Sequence, residues 1–376
     1  MDPKTFVDKP TNKPPSQVLT DFAAINGSNP TIGQVEQFVD SDFSGEGLEL
    51  EAVALPSFNA NPAFLNGVKD PLVKAWSSVV HGYWTQLIRN TNDSALCNGV
   101  TCESSLIPLN HTFVVPGGRF RESCKSPSSV FQHRVNPYSA DYWDSFWIIE
   151  GLIQSELYDM VNSTLQNFMD ELEEFGFIPN GGRVYYLNRS QPPLFIHMLD
   201  EYIKATNDTS ILERALPLAE LELEWWLKNR TISVTSSYTS KTYNMSRYAV
   251  VNSAPRPESY FTDYETATGV NLTEQQRSDL YAELATGAES GNTLTRLGNF
   301  DEFVLTCGAL MPLGWDYTSR WLTDPLAGNS TDQLSKLRTL NIRNTIPVDL
   351  NSILCMYRSS PYSHENVLLI YAIVSR

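Results

Sequence analysis

The chain has 376 residues, a net charge of −16 and 41% apolar or aromatic residues. That length suits one large domain or two ordinary ones with a sizeable buried core, and the acidity argues against a nucleic-acid partner, which needs a basic footprint. No apolar run reaches membrane-spanning length, so membrane anchoring is not visible, and the five cysteines and five histidines lack metal-ligand spacing; no metal or other cofactor is expected.

Residues 1–75, rich in Pro, Asn and Asp, read as a leading region wrapped over a larger body, with short helical patches such as Ile32 to Phe38. Apolar residues at helical spacing predict a first substantial helix over Leu72 to Ile88. Cys97 and Cys102 bracket a short Asn-Gly turn and suit either a local disulfide or two free thiols. From Tyr142 the pattern strengthens: Trp143, Phe146, Trp147, Ile149, Ile153, Leu157, Met160, Val161, Leu165 and Phe168 predict one long amphipathic helix that Gly176 ends. A second helix is expected over Pro192 to Ala205, with prolines in its first turn. A third, capped by Asn207-Asp208-Thr209, runs to Asn229 with Leu212, Leu216, Leu221, Trp225 and Trp226 inward. Short polar loops join them as antiparallel hairpins, so the fold class is all-α.

Asn-x-Ser/Thr sequons at Asn26, Asn92, Asn110, Asn162, Asn188, Asn207, Asn229, Asn244, Asn271 and Asn329 predict a glycosylated, secreted or cell-surface protein. The start, Met1-Asp2-Pro3-Lys4, has no apolar signal region, and a missing true start is the expected reason.

The unusual residues sit in loops. Pro116-Gly117-Gly118-Arg119-Phe120 sets a guanidinium after a glycine pair, the run Asn180 to Pro193 supplies an amide, two arginines and a glutamine, and Arg256 stands between Pro255 and Pro257. Arginine forks, amides and carboxylates each bond vicinal hydroxyls in pairs, so the set suits a polyol cleft, with Trp143 and Trp315 as apolar faces for a sugar ring. Taken singly, each has an ordinary structural reading: loop arginines are solvated or paired, and tryptophans at helical spacing are core.

Together with Pro116 to Glu122, the segments Tyr142 to Trp147, Asn180 to Pro193, Arg256-Pro257-Glu258, Ala288-Glu289-Ser290-Gly291, Trp315-Asp316 and Ile346 to Asn351 resemble the motifs of the trehalases, in the family's order. The resemblance implies an (α/α)6 toroid, here incomplete at the C-terminus, and inverting hydrolysis of α,α-trehalose to two glucoses. It implies a sugar-binding set of Arg119, Trp143, Asp144, Asn180, Arg189, Ser190, Gln191, Arg256, Pro257 and Glu258. It further implies Asp316 as general acid, with Gly291 or Gly314 as the glycine before the Trp-Asp pair. An inverting glycosidase protonates the leaving oxygen with one carboxyl and activates water with another.

On this reading residues 1–110 form an N-terminal helical and irregular region, 111–355 the N-terminal part of a catalytic domain, and 356–376 a tail unlike the family. The chain departs from the pattern in three places. Segments 124–141 and 292–314 interrupt motifs, and after Cys355 the likeness stops without the family's Gln-Trp-Asp signature or general-base glutamate. Cys124-Lys125, Gly291-Asn292 and Cys355-Met356 can each be encoded around a splice-donor-like GTAAG, GTAAT or GTATG, so translated introns are the expected cause. The chain itself is therefore expected to be inactive. The alternative is a non-catalytic trehalose-binding or regulatory isoform, or a mis-spliced fragment.

Overall fold

A computed structural model describes residues 3–25, 27, 29–45, 47–115, 141–290, 319–324 and 333–359. The described chain is predominantly helical, in line with an all-α class, with two small antiparallel sheets. Among the described residues no helix is long and apolar enough to cross a membrane.

The leading region holds α1 (Pro3–Val7), α2 (Pro15–Ile25) and α3 (Ile32–Asp42). The helix expected from Ile32 is present. Thr31 opens it with a capping box, its hydroxyl accepting the Gln34 N–H at 3.3 Å while the Gln34 side chain accepts the Thr31 N–H at 2.9 Å. A short turn, α4 (Phe64–Gly67), precedes α5 (Pro71–Gly82), which Asp70 caps by accepting from the Leu72 and Val73 N–H groups.

The helix predicted over Leu72 to Ile88 is therefore shorter than its apolar pattern. It stops at Gly82, is followed by the turn α6 (Trp84–Leu87), and Ile88 already belongs to a strand. Trp84 draws the chain aside: its indole donates to Ser155 Oγ at 2.9 Å, and a Cβ added at Gly151 would lie 3.1 Å from the same ring. Among the described residues the apolar side chains of α5 do not face a core either, for Leu72, Val73, Trp76, Val79 and Val80 are exposed.

Strands β1 (Leu50–Ala52), β2 (Ile88–Thr91) and β3 (Phe113–Val114) form the first sheet in that order, with Leu50 opposite Thr91 and Ile88 opposite Val114. Cys97 and Cys102 are joined as a disulfide, which decides between the two readings of that pair.

The single long helix expected from Tyr142 is two: α7 (Asp144–Gln154) and α8 (Tyr158–Phe175). Glu156 breaks the run with φ of 60°, which turns the chain so that Leu157 is buried and its N–H reaches the Leu152 carbonyl at 2.9 Å. Ser155 at the break accepts from Trp84 and pairs with His81 Nδ1 at 3.2 Å. Gly176 does end α8, in the left-handed conformation (φ 75°) that glycine adopts at little cost.

Next come α9 (Phe195–Thr206) and α10 (Leu212–Arg230). Pro192 and Pro193 precede α9 instead of forming its first turn, and Asn207 ends α9 in the left-handed region (φ 56°) instead of capping α10. On α10 Leu221 is exposed, contrary to the predicted inward stripe, while Glu222 faces inward fully buried. A hairpin of β4 (Thr231–Thr235) and β5 (Thr242–Ser246) follows, then α11 (Tyr260–Thr268), α12 (Glu274–Glu289), α13 (Gln333–Leu337) and α14 (Val348–Ser359).

Helices α7, α8, α9 and α10 pack on one another around one apolar core that includes Ile149, Leu165, Met169, Phe195, Leu199 and Ala215. A second core gathers Tyr248, Leu284, Trp321, Ile342 and Leu350 around Trp226. Because α10 feeds both, its polar inward positions lie where the two cores meet, and there the loops before α7, before α9 and after β5 converge.

Candidate functional site

The loop between α8 and α9 is built by its own backbone. The Asn180 N–H reaches the Arg189 carbonyl at 3.0 Å, the Arg189 N–H the Tyr186 carbonyl at 3.1 Å, and the Tyr142 N–H the Asn180 carbonyl at 3.1 Å. Segment Tyr142-Trp143 is thereby fixed beside Asn180. The Trp143 N–H donates to Gln191 Oε1 at 3.0 Å, tightening the same junction.

Arg189 is the centre of the site and is almost fully buried. Its Nε donates to Asn180 Oδ1 at 3.0 Å, Nη1 to Asn188 Oδ1 at 3.2 Å, and Nη2 to Glu258 Oε1 in a charge-assisted pair. The guanidinium also lies 4.9 Å from the centre of the Tyr186 ring. Glu258 sits in the one-turn helix Pro257–Ser259, which the fixed φ of Pro257 begins. Burial works against ionising its carboxyl, yet the Arg189 and Arg256 guanidiniums outweigh burial and hold it below the usual carboxylate range. The stability this ion pair supplies is thus fully present above the ordinary glutamate value, about 4.3. It is lost as pH falls through the lower folded value. Glu258→Gln is expected to flatten the acid limb of unfolding free energy against pH; an unchanged limb in denaturant titrations at stepped pH contradicts the assignment.

Arg256 is held differently. Its Nε and Nη2 form a fork on Asp263, at 2.8 and 2.7 Å, and its own N–H donates to Asp263 at 3.0 Å. Ser190 donates its hydroxyl to the Ile178 carbonyl at 2.7 Å and its N–H to Glu289 Oε1 at 3.3 Å. Glu289, at the end of α12, also receives Arg230 Nε at 2.8 Å, Arg230 Nη2 at 2.5 Å and the Ala249 N–H at 3.1 Å.

Three buried polar atoms around Arg189 have no hydrogen-bond partner among the described residues: Asn180 Nδ2, Gln191 Nε2 and Glu258 Oε2. Buried polar atoms are nearly always paired, so two donors and one acceptor left over within one buried cluster are notable. They match what adjacent sugar hydroxyls, each donor and acceptor at once, can satisfy.

Of the predicted residues, Asn180, Arg189, Ser190, Gln191, Arg256 and Glu258 thus come together, with Trp143 joined through its backbone. Trp143 itself is buried and meets Trp147 edge-on at 4.9 Å, so the exposed ring there is Trp147. Asp144 is exposed in the first turn of α7, and Pro257 is exposed. Arg119, Gly291, Gly314, Trp315 and Asp316 lie outside the described residues. Arg183, the second arginine of the loop, is fully buried but turns toward Glu49, with Nη1 3.2 Å from Oε1.

Sequence reasoning missed several members of the network. The Tyr142 hydroxyl donates to Glu222 Oε1 at 2.5 Å and accepts from the Phe195 N–H at 2.8 Å. Burial, and next the Glu222 charge, push that phenol well above its ordinary pKa. Asp263, Arg230 and Tyr186 were missed as well. For Glu222 a signal existed, a carboxylate in register with Leu218, Ala219 and Trp226, but charge in an apolar stripe reads as a surface position.

The trehalase family model matches residues 1–297 and 308–366. The chain belongs to the trehalase family. The match runs unbroken through 124–141, passes over 298–307 and continues beyond Cys355 to residue 366. The chain is 37% identical to a trehalase of Dictyostelium discoideum, covering 98% of this chain and 53% of that protein. It is 38% identical to the trehalase of Homo sapiens, covering 94% and 52%. It spans about half the length of the curated relatives it matches. Among solved structures, the neutral trehalase Nth1 of Saccharomyces cerevisiae matches with a TM-score of 0.36 and 24% identity, over 49% of this chain and 34% of that one. Of the residues that the resemblance designates, Asn180, Arg189 and Glu258 are joined by side-chain hydrogen bonds in one buried network.

Proposed function

We propose that this chain recognises α,α-trehalose, the substrate of an inverting glucohydrolase, through the cluster centred on Arg189. The observation that carries the reading is the set of unsatisfied buried atoms, Asn180 Nδ2, Gln191 Nε2 and Glu258 Oε2, around a guanidinium already oriented by three side chains. A glucosyl unit offers hydroxyls to all three. In the full reaction Asp316 protonates the leaving oxygen while a second carboxylate activates water on the opposite face. The helical hairpins belong to an (α/α)6 toroid, with 1–110 as a leading region and 124–141 and 292–314 as insertions beside the acid and the sugar ligands. Residues 1–376 contain no match to the family's base motif, so binding without turnover is their expected behaviour. The sequons support a secreted or cell-surface glycoprotein.

Titration calorimetry of the purified chain with trehalose, paired with an enzymatic glucose assay, tests this. Saturable heat without glucose is the expected outcome. Glucose release overturns the absence of turnover while keeping the substrate; no heat, with the chain folded by circular dichroism, overturns the trehalose site.

A further inference from the structure

A buried cation that the trehalase motifs do not designate reaches the site from the other end of the sequence. Helix α1 packs against the Pro257–Ser259 turn that carries Glu258. Its Lys4 is only 8% exposed, with Nζ 6.0 Å from the centre of the Tyr186 ring that Arg189 also covers. Lysine is rarely buried without a charge to answer it. Burial works against the Lys4 ammonium, but Tyr186, Asp141 and Asp8 together raise its pKa, so it stays charged. Tyr186, pushed up to about 12 first of all by burial, is un-ionised at neutral pH and offers Lys4 a ring and a phenol oxygen.

The approach of α1 is fastened at several points. Asp8, just past the helix, accepts the Tyr185 hydroxyl at 2.8 Å and lies 3.4 Å from Arg183 Nε. The Ser105 hydroxyl donates to the Val7 carbonyl at 2.8 Å. The leading segment is therefore bound to the loop that supplies Asn180 and Arg189, and Lys4 is brought to the Tyr186 ring by that attachment.

We propose that Lys4 is a positioning residue of the trehalose site, acting through Tyr186 and the Pro257–Ser259 turn to keep Glu258 an oriented acceptor for a sugar hydroxyl. The inference rests on the trehalose reading above. Among the described residues the groups facing Glu258 are Arg189 from the α8–α9 loop, Arg256 from its own turn, Lys4 from α1, and Tyr186; Asp263 holds Arg256, and Asp141 and Asp8 face Lys4. Lys4 adds to the charges that lower the Glu258 pKa, so its removal raises that pKa and moves the acid limb of binding to higher pH.

The test is trehalose titration of the full chain, Lys4→Met and Lys4→Arg, each over a pH series and each with its urea midpoint. Lys4→Met is expected to bind roughly tenfold more weakly, the cost of one charge-assisted contact, with its acid limb at higher pH. Lys4→Arg is expected to restore the limb. Where Lys4→Met also unfolds earlier, Lys4→Arg decides, because lost packing alone moves stability and not the pH limb. Wild-type affinity and limb in Lys4→Met, or a Met-like limb in Lys4→Arg, overturns the inference alone. No binding by the wild-type chain overturns the trehalose reading, and this inference with it.

Discussion

Glu289→Ala is expected to lower the unfolding free energy by about 3–5 kcal/mol, the usual result of removing one partner of a buried ion pair. The carboxylate is fully buried, and its two oxygens receive both arms of the Arg230 fork together with the Ser190 and Ala249 N–H groups. Alanine leaves a guanidinium uncompensated at 9% exposure and strands two backbone donors. Glu289→Gln keeps acceptor oxygen but not charge, so it should fall between wild type and alanine. A double change of Arg230→Met with Glu289→Leu removes the unpaired charge yet still strands the donors, and should recover only part of the loss. Urea midpoints measure all three; an alanine variant within about 1 kcal/mol of wild type would falsify the role of Glu289 as the tie between α12 and the Ser190 loop.

The second large effect concerns binding. Arg189→Lys is expected to weaken trehalose binding about 100-fold, the equivalent of about 2.8 kcal/mol. Charge is conserved in this change, so geometry is what it tests. A lysine ammonium is a point donor on a flexible stem; it cannot span Asn180, Asn188 and Glu258 while lying flat on Tyr186. Loss of the fork releases Asn180 and Glu258 from their present orientation, and on the proposed reading their remaining polar atoms then no longer meet the sugar hydroxyls. Arg256→Lys makes the contrast: its fork is spent on Asp263, so it should cost stability more than affinity. Calorimetric affinities beside denaturant midpoints separate the two. Arg189→Lys with wild-type affinity would remove Arg189 from the site.

Several elements were legible because their causes are local. The patch from Ile32 reads as helical and Gly176 as a helix end, whereas the Cys97–Cys102 spacing left a bridge and two free thiols both open, and the folded turn joined them. Others were misjudged because the same local signal was outvoted. The apolar periodicity through Leu157 continues across a break that Glu156 makes with a positive φ, in exchange for burying Leu157 and fixing Ser155 between His81 and Trp84. The stripe on α5 has the spacing of a core helix but faces outward in the described structure, and Leu221 gives way to Glu222. Periodicity states which residues share a face, while which face is covered depends on partners far along the chain.

The amino-acid sequence by itself determined the family, through ordered motifs whose residue types suit hydroxyl recognition, and the helical class, through spacing that any single segment carries. Only the tertiary structure decided what each charge does. Arg189, Arg183 and Arg256 read alike as loop arginines, yet one ties Asn180 and Asn188 to Glu258, one fastens the leading segment through Glu49 and Asp8, and one forks on Asp263. The reason is physical: a buried guanidinium is defined by the carboxylates that desolvate with it. Those carboxylates come from positions seven to more than a hundred residues away along the chain, which no local pattern can pair.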